Sequence, residues 1–428
     1  MVTTTRRTLL TGAAALGAGT LAACSGGGGG GGGIPDEIPA DTSGEITYSI
    51  WDQAQKGAME KIIAAFGKQF PDITVSLTVT PFEQYFEKLQ TQATGGDLPD
   101  VFWMNGPNFQ LYASEGKLQD LADVPGFDAG SYPDAMNALY TLDGAQYCVP
   151  KDFDTIGLWW NADHFEKAGV EAPTEDWTWD DYRETSRAIT EALADDGVWG
   201  NAGGTANQAY VYPLVIQAGG EIISEDATRS GYGSDAAIEA FTFLRGMVED
   251  GTAPGVEFTT ENKPADLFNA GKAAMLWSGN WSAAVFKDSP VRDAIRTAPL
   301  PTGKQAGNVI HGIGNTMAAE GRNKAAAAAF LAFLGSEEAN RIQAEEGAAN
   351  PAFEGTAQAY VDALPEFELQ RFIDAAADAS PYPVSRNTAA WLSLELEYYP
   401  KIVGGELEVA AGCAELAQKM DEALADEQ

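Results

Sequence analysis

The chain has 428 residues, a formal net charge of −36, 45% hydrophobic residues and three cysteines. That length exceeds one ordinary domain and fits two, and the apolar content is enough for large cores, so disorder is not expected. The acidic excess argues against nucleic acid or anionic lipid head groups as partners; it suits a solvated surface or a cationic ligand.

The first residues have the layout of an export leader. Arg6-Arg7 precede an apolar stretch over residues 9–23, shorter than the roughly 20 residues that span a bilayer. Thr5-Arg6-Arg7-Thr8-Leu9-Leu10 resembles a twin-arginine motif without its usual following lysine. Leu21-Ala22-Ala23-Cys24 resembles a bacterial lipobox, which makes Cys24 the expected lipidated N-terminus; an ordinary signal peptide with a chance cysteine is the alternative. Ser25 and a glycine run to Gly33 follow, a composition that cannot pack and reads as a flexible tether. Cys148 and Cys413 then remain, either as two separate buried thiols or as one bridge. No later stretch has the length and apolarity of a membrane span.

Residues 45–50 alternate as a first strand, and Trp51 and Asp52 follow its carboxyl end. An amphipathic helix is expected over 57–70 and a second strand over 73–80. Thr80-Pro81-Phe82-Glu83 reads as a capping box opening a helix that stops at Gly95-Gly96. A third strand over 101–104 ends at Asn105-Gly106, which completes a βαβαβ pattern and a parallel sheet. Residues 148–154 are extended and 155–160 form a strand, with Asp154, Ile156, Leu158 and Trp160 on one face. Asn161 starts a helix, Thr178 and Asp181 supply a capping box, and 236–248 is helical. In residues 266–281 the apolar run Ala273-Ala274-Met275-Leu276-Trp277 reads as a buried strand, ending in a loop with Gly279, Asn280 and Trp281. Ligands of open α/β sheets sit at such carboxyl ends; Trp281 either offers its face there or fills a core. A strand over 309–318 carries His311 and Asn315, helices follow over 324–334 and after Ser336, and Trp391 lies within a helix over 388–399.

Pro99-Asp100 before a strand, Tyr147-Cys148-Val149-Pro150, the run Trp159-Trp160-Asn161-Ala162-Asp163-His164-Phe165, the turn Trp177-Thr178-Trp179 and Phe268…Gly271-Lys272-Ala273-Ala274-Met275 together resemble the sugar-type extracellular solute-binding proteins of ABC importers. So does Asn323-Lys324-Ala325…Phe333-Leu334 followed by Gly347…Pro351. The resemblance implies a two-lobed α/β body of the type II periplasmic-binding-protein kind. Each lobe would hold a mostly parallel sheet flanked by helices, joined by a multi-strand hinge. The implied division is a signal peptide over 1–23, a lipidated tether over 24–43, a first lobe from 44–153 and 307–350, and a second from 154–306 and 351–428. Chain crossings are implied near 149–154 and 300–309.

Ligand would bind between lobes that close by hinge motion. The expected contacts are Trp51, Asp52, Glu83, Asn105, Asp154, Asn280, Trp281, His311, Asn315, Arg386 and Trp391. Asp154 and Trp391 enter because they match ligand-contact positions of the family, and Glu83 because its turn lines the family's cleft. Plain alternatives stand beside them: helix capping for Asn105 and Glu83, a hinge salt bridge for Asp154, a satisfied strand residue for His311 and Asn315, an inter-lobe contact for Arg386. Trp103-Met104-Asn105 departs from the maltose-type pattern, which puts a maltodextrin ligand in doubt. The implied function is capture of a sugar or oligosaccharide and delivery to a membrane permease, by a lipid-anchored monomer at the outer face of the cytoplasmic membrane, with no cofactor or metal. The alternatives are a non-sugar solute (a glycerol phosphodiester, peptide or amine) and, remotely, a carbohydrate-active enzyme using Asp152 and Asp154. Only two histidines are present, His164 and His311, and no nucleophile elbow or phosphate loop.

Overall fold

The computed structural model describes residues 34–427. The leader, Cys24 and the glycine run lie outside them. The strands β1 (Gly44–Ile50), β2 (Ile73–Val79) and β3 (Val101–Asn105) run parallel, with β1 in the middle, and are linked by the helices α1 (Lys56–Gln69) and α2 (Phe82–Gly95). Met59, Ile62 and Phe66 recur at helical spacing and are buried, while Glu60 and Lys61 face solvent; that stripe lays α1 on the sheet. The strand Ile313–Met317 enters antiparallel beside β3, and Cys148–Pro150 lies antiparallel beyond it. Five strands thus share one core, which includes Tyr48, Trp103, Phe66 and Phe330.

A second, smaller sheet orders the strands Met275–Gly279, Ile156–Asn161 and Ile295–Ala298, all antiparallel. Side chains alternate across it. Ile156, Leu158, Met275 and Trp277 enter one core with the helices Asp235–Glu249, Thr388–Val403 and Val409–Ala425. Trp159 and Leu276 enter another with Phe286, Phe367 and Phe372. The architecture is two-lobed, each lobe a sheet covered by helices, but the mostly parallel pairing expected of both lobes is absent from the second, whose three strands are all antiparallel.

Three passes of chain join the lobes side by side. Residues 151–155 run from Pro150 to Ile156. Asp154 and His311 form an antiparallel bridge on the second pass, and Asp152 pairs with Pro351 on the third. Val309 is buried with the second lobe's core and Ile310 packs on the first, so the second pass crosses at 309–311 rather than earlier.

Three local expectations change. The strand expected over 309–318 is two pieces, Val309–Ile310 pairing Ser380–Pro381 and Ile313–Met317 in the first sheet, because its ends serve different lobes. Gly312 makes the break: a Cβ there would lie 2.3 Å from the Asp152 carbonyl oxygen. The strand expected from Ala273 begins at Met275, with Ala273 bridging Trp199 instead. The capping box at Thr80 does not form; α2 has Pro81 as its N-cap with no side-chain bond, and the Thr80 hydroxyl accepts from Lys88 Nζ at 3.3 Å. The box at Thr178 and Asp181 is complete. Cys148 and Cys413 are free thiols buried in different cores. Among the described residues no helix is long and apolar enough to cross a membrane.

Candidate functional site

Between the sheets the chain packs polar side chains into a desolvated band. On the first lobe's side, Lys151 Nζ is 2.6 Å from Asp152 Oδ2, donates to Gln55 Oε1 at 2.8 Å, and stands 4.6 Å over the Trp103 ring. Asp152 Oδ1 accepts from the Ile313 amide at 2.9 Å. Gln55 donates in turn to Asp52, whose other oxygen caps the Ala54 amide at 2.8 Å. Both charges of this buried pair are compensated, which is what a desolvated ion pair requires.

Asp154 points across to the second lobe. Its carboxylate accepts from Gln208 Nε2, and His311 Nδ1 lies 4.0 Å from its other oxygen. Gln208 belongs to a π-helical turn, Asn207–Val211, a rare form often found at functional positions. Burial first, then the neighbouring Asp152, raise the Asp154 carboxyl well above the carboxylate range. His311 Nε2 accepts the Gly106 amide at 3.2 Å, which puts the ring proton on Nδ1, and burial lowers its pKa to about 4. At neutral pH this imidazole is uncharged. It closes the amino end of helix α3 (Gly106–Ser114), whose N-cap is Asn105.

Several expected contacts are engaged inside the protein. Asn105 Oδ1 accepts from the Asn108 amide and side chain at 3.2 and 2.9 Å. Asn280, 3% exposed, clamps the first pass: Oδ1 takes the Thr155 amide at 3.1 Å and Nδ2 donates to the Phe153 carbonyl at 3.2 Å. Asn315 accepts the Tyr48 hydroxyl at 2.8 Å. Trp391 is 0% exposed in the second lobe's core, its indole N–H donating to Ser385 at 2.8 Å.

Others present surface. Trp51, half-buried, meets Trp103 and Tyr85 edge-on at 5.1 Å and Phe82 at 5.7 Å; Phe82 itself is 51% exposed. Trp281, half-buried, lies directly over Gly279, where a Cβ would stand 1.9 Å from the ring. Arg386 is exposed. Glu83 pairs with Lys263, which precedes the second-lobe helix Pro264–Asn269. That hydrogen bond holds the Glu83 carboxylate below its usual range.

The structure thus draws Asn105, Asp154 and His311 into one cluster, with Asn280 bonded to the pass that carries Asp154. Trp51, Asp52, Glu83 and Asn315 belong to the first lobe, and Trp281 and Trp391 to the second. Sequence reasoning missed Gln208, Asn207, Tyr382, Phe82 and Lys263. An exposed aromatic in the first turn of α2 was a visible signal for Phe82. The amides offered only a glycine-rich approach, Gly203-Gly204-Thr205-Ala206. Among the described residues no group of three His, Cys, Asp or Glu side chains is placed to hold a metal ion.

Chemically, the arrangement offers partly exposed aromatic faces on both lobes and polar groups already fixed by their neighbours. The carboxylate pair suited to glycoside cleavage is otherwise occupied, Asp152 by Lys151 and Asp154 by Gln208.

The model of the family described as bacterial extracellular solute-binding protein matches residues 51–341. The chain is 25% identical over 321 residues to a galactooligosaccharide-binding protein of Bacillus subtilis, covering 72% of this chain and 73% of that protein. It is 26% identical over 314 residues to an arabinooligosaccharide-binding protein of the same organism, covering 69% and 70%. Its fold superimposes on an ABC substrate-binding protein from Listeria monocytogenes, solved in complex with cycloalternan. That match has a TM-score of 0.84 and 29% identity, and covers 90% of this chain and 100% of that one.

Proposed function

Since the chain belongs to the bacterial extracellular solute-binding proteins, we infer that it captures a carbohydrate between its lobes and presents it to the permease of an ABC importer, without chemical turnover. The observation that carries this reading is that each of two lobes joined by three chain passes keeps an indole, Trp51 or Trp281, only partly buried. A sugar has C–H patches that suit an indole face and a rim of hydroxyls that suits carboxylates and amides. The relatives named for galacto- and arabino-oligosaccharides support the ligand class.

The contacts we assign are Trp51, Phe82, Asp52 and Glu83 from the first lobe, Trp281 and Arg386 from the second, and Asp154 with Gln208 at the hinge. Asn105, Asn280, His311, Asn315 and Trp391 support them from behind. The lobes we assign are 44–153 with 310–350, and 154–309 with 351–428; the place of Ile313–Met317 in the first sheet and the burial of Val309 in the second lobe's core support the division. A hydrogen bond to a charged group contributes about 1.5–3 kcal/mol, and micromolar binding needs about 8 kcal/mol. A few such bonds and one stacked ring suffice. Ligand stabilises the closed form because only that form touches it from both sides.

We further assign lipid anchoring at Cys24, which would hold a monomeric body on the outer face of the membrane. Cys24→Ser is expected to release the protein from the membrane fraction; retention there would refute the anchor.

The test of function is a thermal-shift screen of the protein against maltose, galacto-oligosaccharides and arabino-oligosaccharides. A ligand at 100 times its dissociation constant adds about 2.7 kcal/mol of stability, a clear shift. Silence across sugars with a shift for amino acids, polyamines or a glycerol phosphodiester would overturn the ligand class. Turnover of any glycoside would overturn the non-catalytic reading.

A further inference from the structure

Glu395 lies on the helix Thr388–Val403 and is 1% exposed. One oxygen accepts from the Tyr212 hydroxyl at 2.8 Å and from Asn207 Nδ2 at 3.2 Å; the other accepts from the Tyr232 hydroxyl at 2.5 Å. The Tyr232 hydroxyl also bonds that of Tyr399.

The groups facing it come from every side. Tyr212 stands on the helix after the π turn, Tyr232 ahead of the helix Asp235–Glu249, Tyr399 on its own helix, and Tyr382 after the strand Ser380–Pro381. None is a cation. Charged residues on the packed helices are engaged elsewhere: Lys401 with Glu397, Arg245 with Glu249, Glu415 with the Tyr398 hydroxyl. Burial pushes Glu395 up to about 7 against the hydrogen bonds that pull it down.

Two arms leave this site through Asn207; Tyr212 also meets the Tyr382 ring edge-on at 5.2 Å. In one, Asn207 Oδ1 accepts the Gln208 amide at 2.7 Å, and the Gln208 side chain donates to Asp154. In the other, Asn207 Nδ2 donates to the Tyr382 hydroxyl at 2.9 Å, and the Tyr382 ring lies 4.8 Å from the His311 ring. Both arms therefore end on one bridge between two crossing passes of the hinge, the Asp154 and His311 pair.

We propose that Glu395 is a positioning residue whose gain or loss of a proton resets the hinge through Asn207, coupling lobe closure to external acidity. When charged, the carboxylate accepts from Tyr212, Tyr232 and Asn207 together. A proton arriving from water on the oxygen that takes both Tyr212 and Asn207 leaves that oxygen one lone pair for two donors. The longer bond, to Asn207, then gives way, and its release frees the amide that sets Gln208 and Tyr382. The consequence for ligand capture rests on the binding reading above; the movement itself does not.

The test reads the distance between lobes without any ligand. Labels are placed at Gln90→Cys on α2 and Glu191→Cys on the helix Trp179–Ala192, both exposed positions. The full chain carries Cys24→Ser, and Cys148 and Cys413 are buried and stay unlabelled. Electron–electron distance measurements from pH 5.5 to 8.5 are expected to show a one-proton change of distance distribution centred near 7. Glu395→Gln is expected to abolish it. Asn207→Ala, which keeps the carboxyl and cuts both arms, is expected to flatten it as well. A flat wild type, or a persisting transition with unchanged midpoint in either variant, overturns the proposal. Failure of every sugar to bind leaves these distances readable, so the two readings fail separately.

Discussion

Asp154 and His311 exchange both backbone hydrogen bonds, at 2.8 and 3.1 Å, while their side chains stand 4.0 Å apart with the imidazole uncharged. Two chain passes are fastened here by main chain alone. The side chains are left to read what surrounds them: Gln208 on one, Gly106 on the other.

Proton linkage at this junction has two signs. Burial depresses His311 to about 4, so the native state binds fewer protons than the unfolded chain between pH 4 and about 6.5. Its contribution is present above about 6.5 and is lost as pH falls through 4. Glu395 is raised to about 7, so its contribution is present below about 4.5 and is lost as pH rises through 7. Urea unfolding of His311→Asn and Glu395→Gln, each subtracted from wild type, should give slopes of opposite sign across pH 4.5–6.5. Slopes of equal sign would refute the assignment of the two groups.

The tryptophans should separate cleanly. Trp391→Ala removes a fully enclosed ring and is expected to cost about 3–5 kcal/mol of stability. Trp281→Ala removes a half-buried one that covers Gly279, so it should cost far less and weaken sugar binding at least tenfold. Denaturant midpoints and calorimetric titration with the sugar found by thermal shift check both. A larger stability loss for Trp281→Ala would make it a core residue.

Gly312→Ala tests how tightly the passes are pressed together. The added methyl group meets the Asp152 carbonyl oxygen at 2.3 Å, and backbone cannot yield as a side-chain tip can. Overpacking of this kind costs typically about 1–3 kcal/mol. A urea midpoint equal to wild type would mean that the crossing strands slide apart freely.

The Glu83 and Lys263 pair spans the lobes but is solvent-exposed on both sides. Exposed pairs contribute about 1 kcal/mol or less and are screened by salt. Lys263→Ala should therefore leave the unfolding midpoint nearly unchanged. It should also remove the salt dependence of inter-lobe distance between 20 and 500 mM; a large stability loss would contradict this accounting.

The parts legible in the sequence are those decided within a few residues. Strand alternation over 45–50 and 73–80, the helical stripe Met59, Ile62, Phe66, and the Thr178 box with Asp181 are local and appear as expected. The box at Thr80 was equally plausible locally, and failed because the Thr80 amide pairs with the Ile50 carbonyl at 3.0 Å and the helix begins one residue later, with Pro81 as its cap. Asn280 and Asn315 lie where ligand-facing amides belong in such sheets, yet main chain and a tyrosine hydroxyl take them. Trp391 shares a helix face with Glu395, Tyr398, Tyr399 and Ile402, all buried; that spacing was readable and indicates a core. Asn207 and Gln208 carry no periodicity, so only the folded geometry reveals what they touch.

The first sheet is completed out of order. Its fourth strand, Ile313–Met317, arrives long after β3, and Cys148–Pro150 can attach only beyond it. A growing chain of 300 residues thus carries β3 with one naked edge, a template for mispairing with other chains. That edge closes only once residues 313–317 have been made, so the first sheet waits on almost three quarters of the sequence.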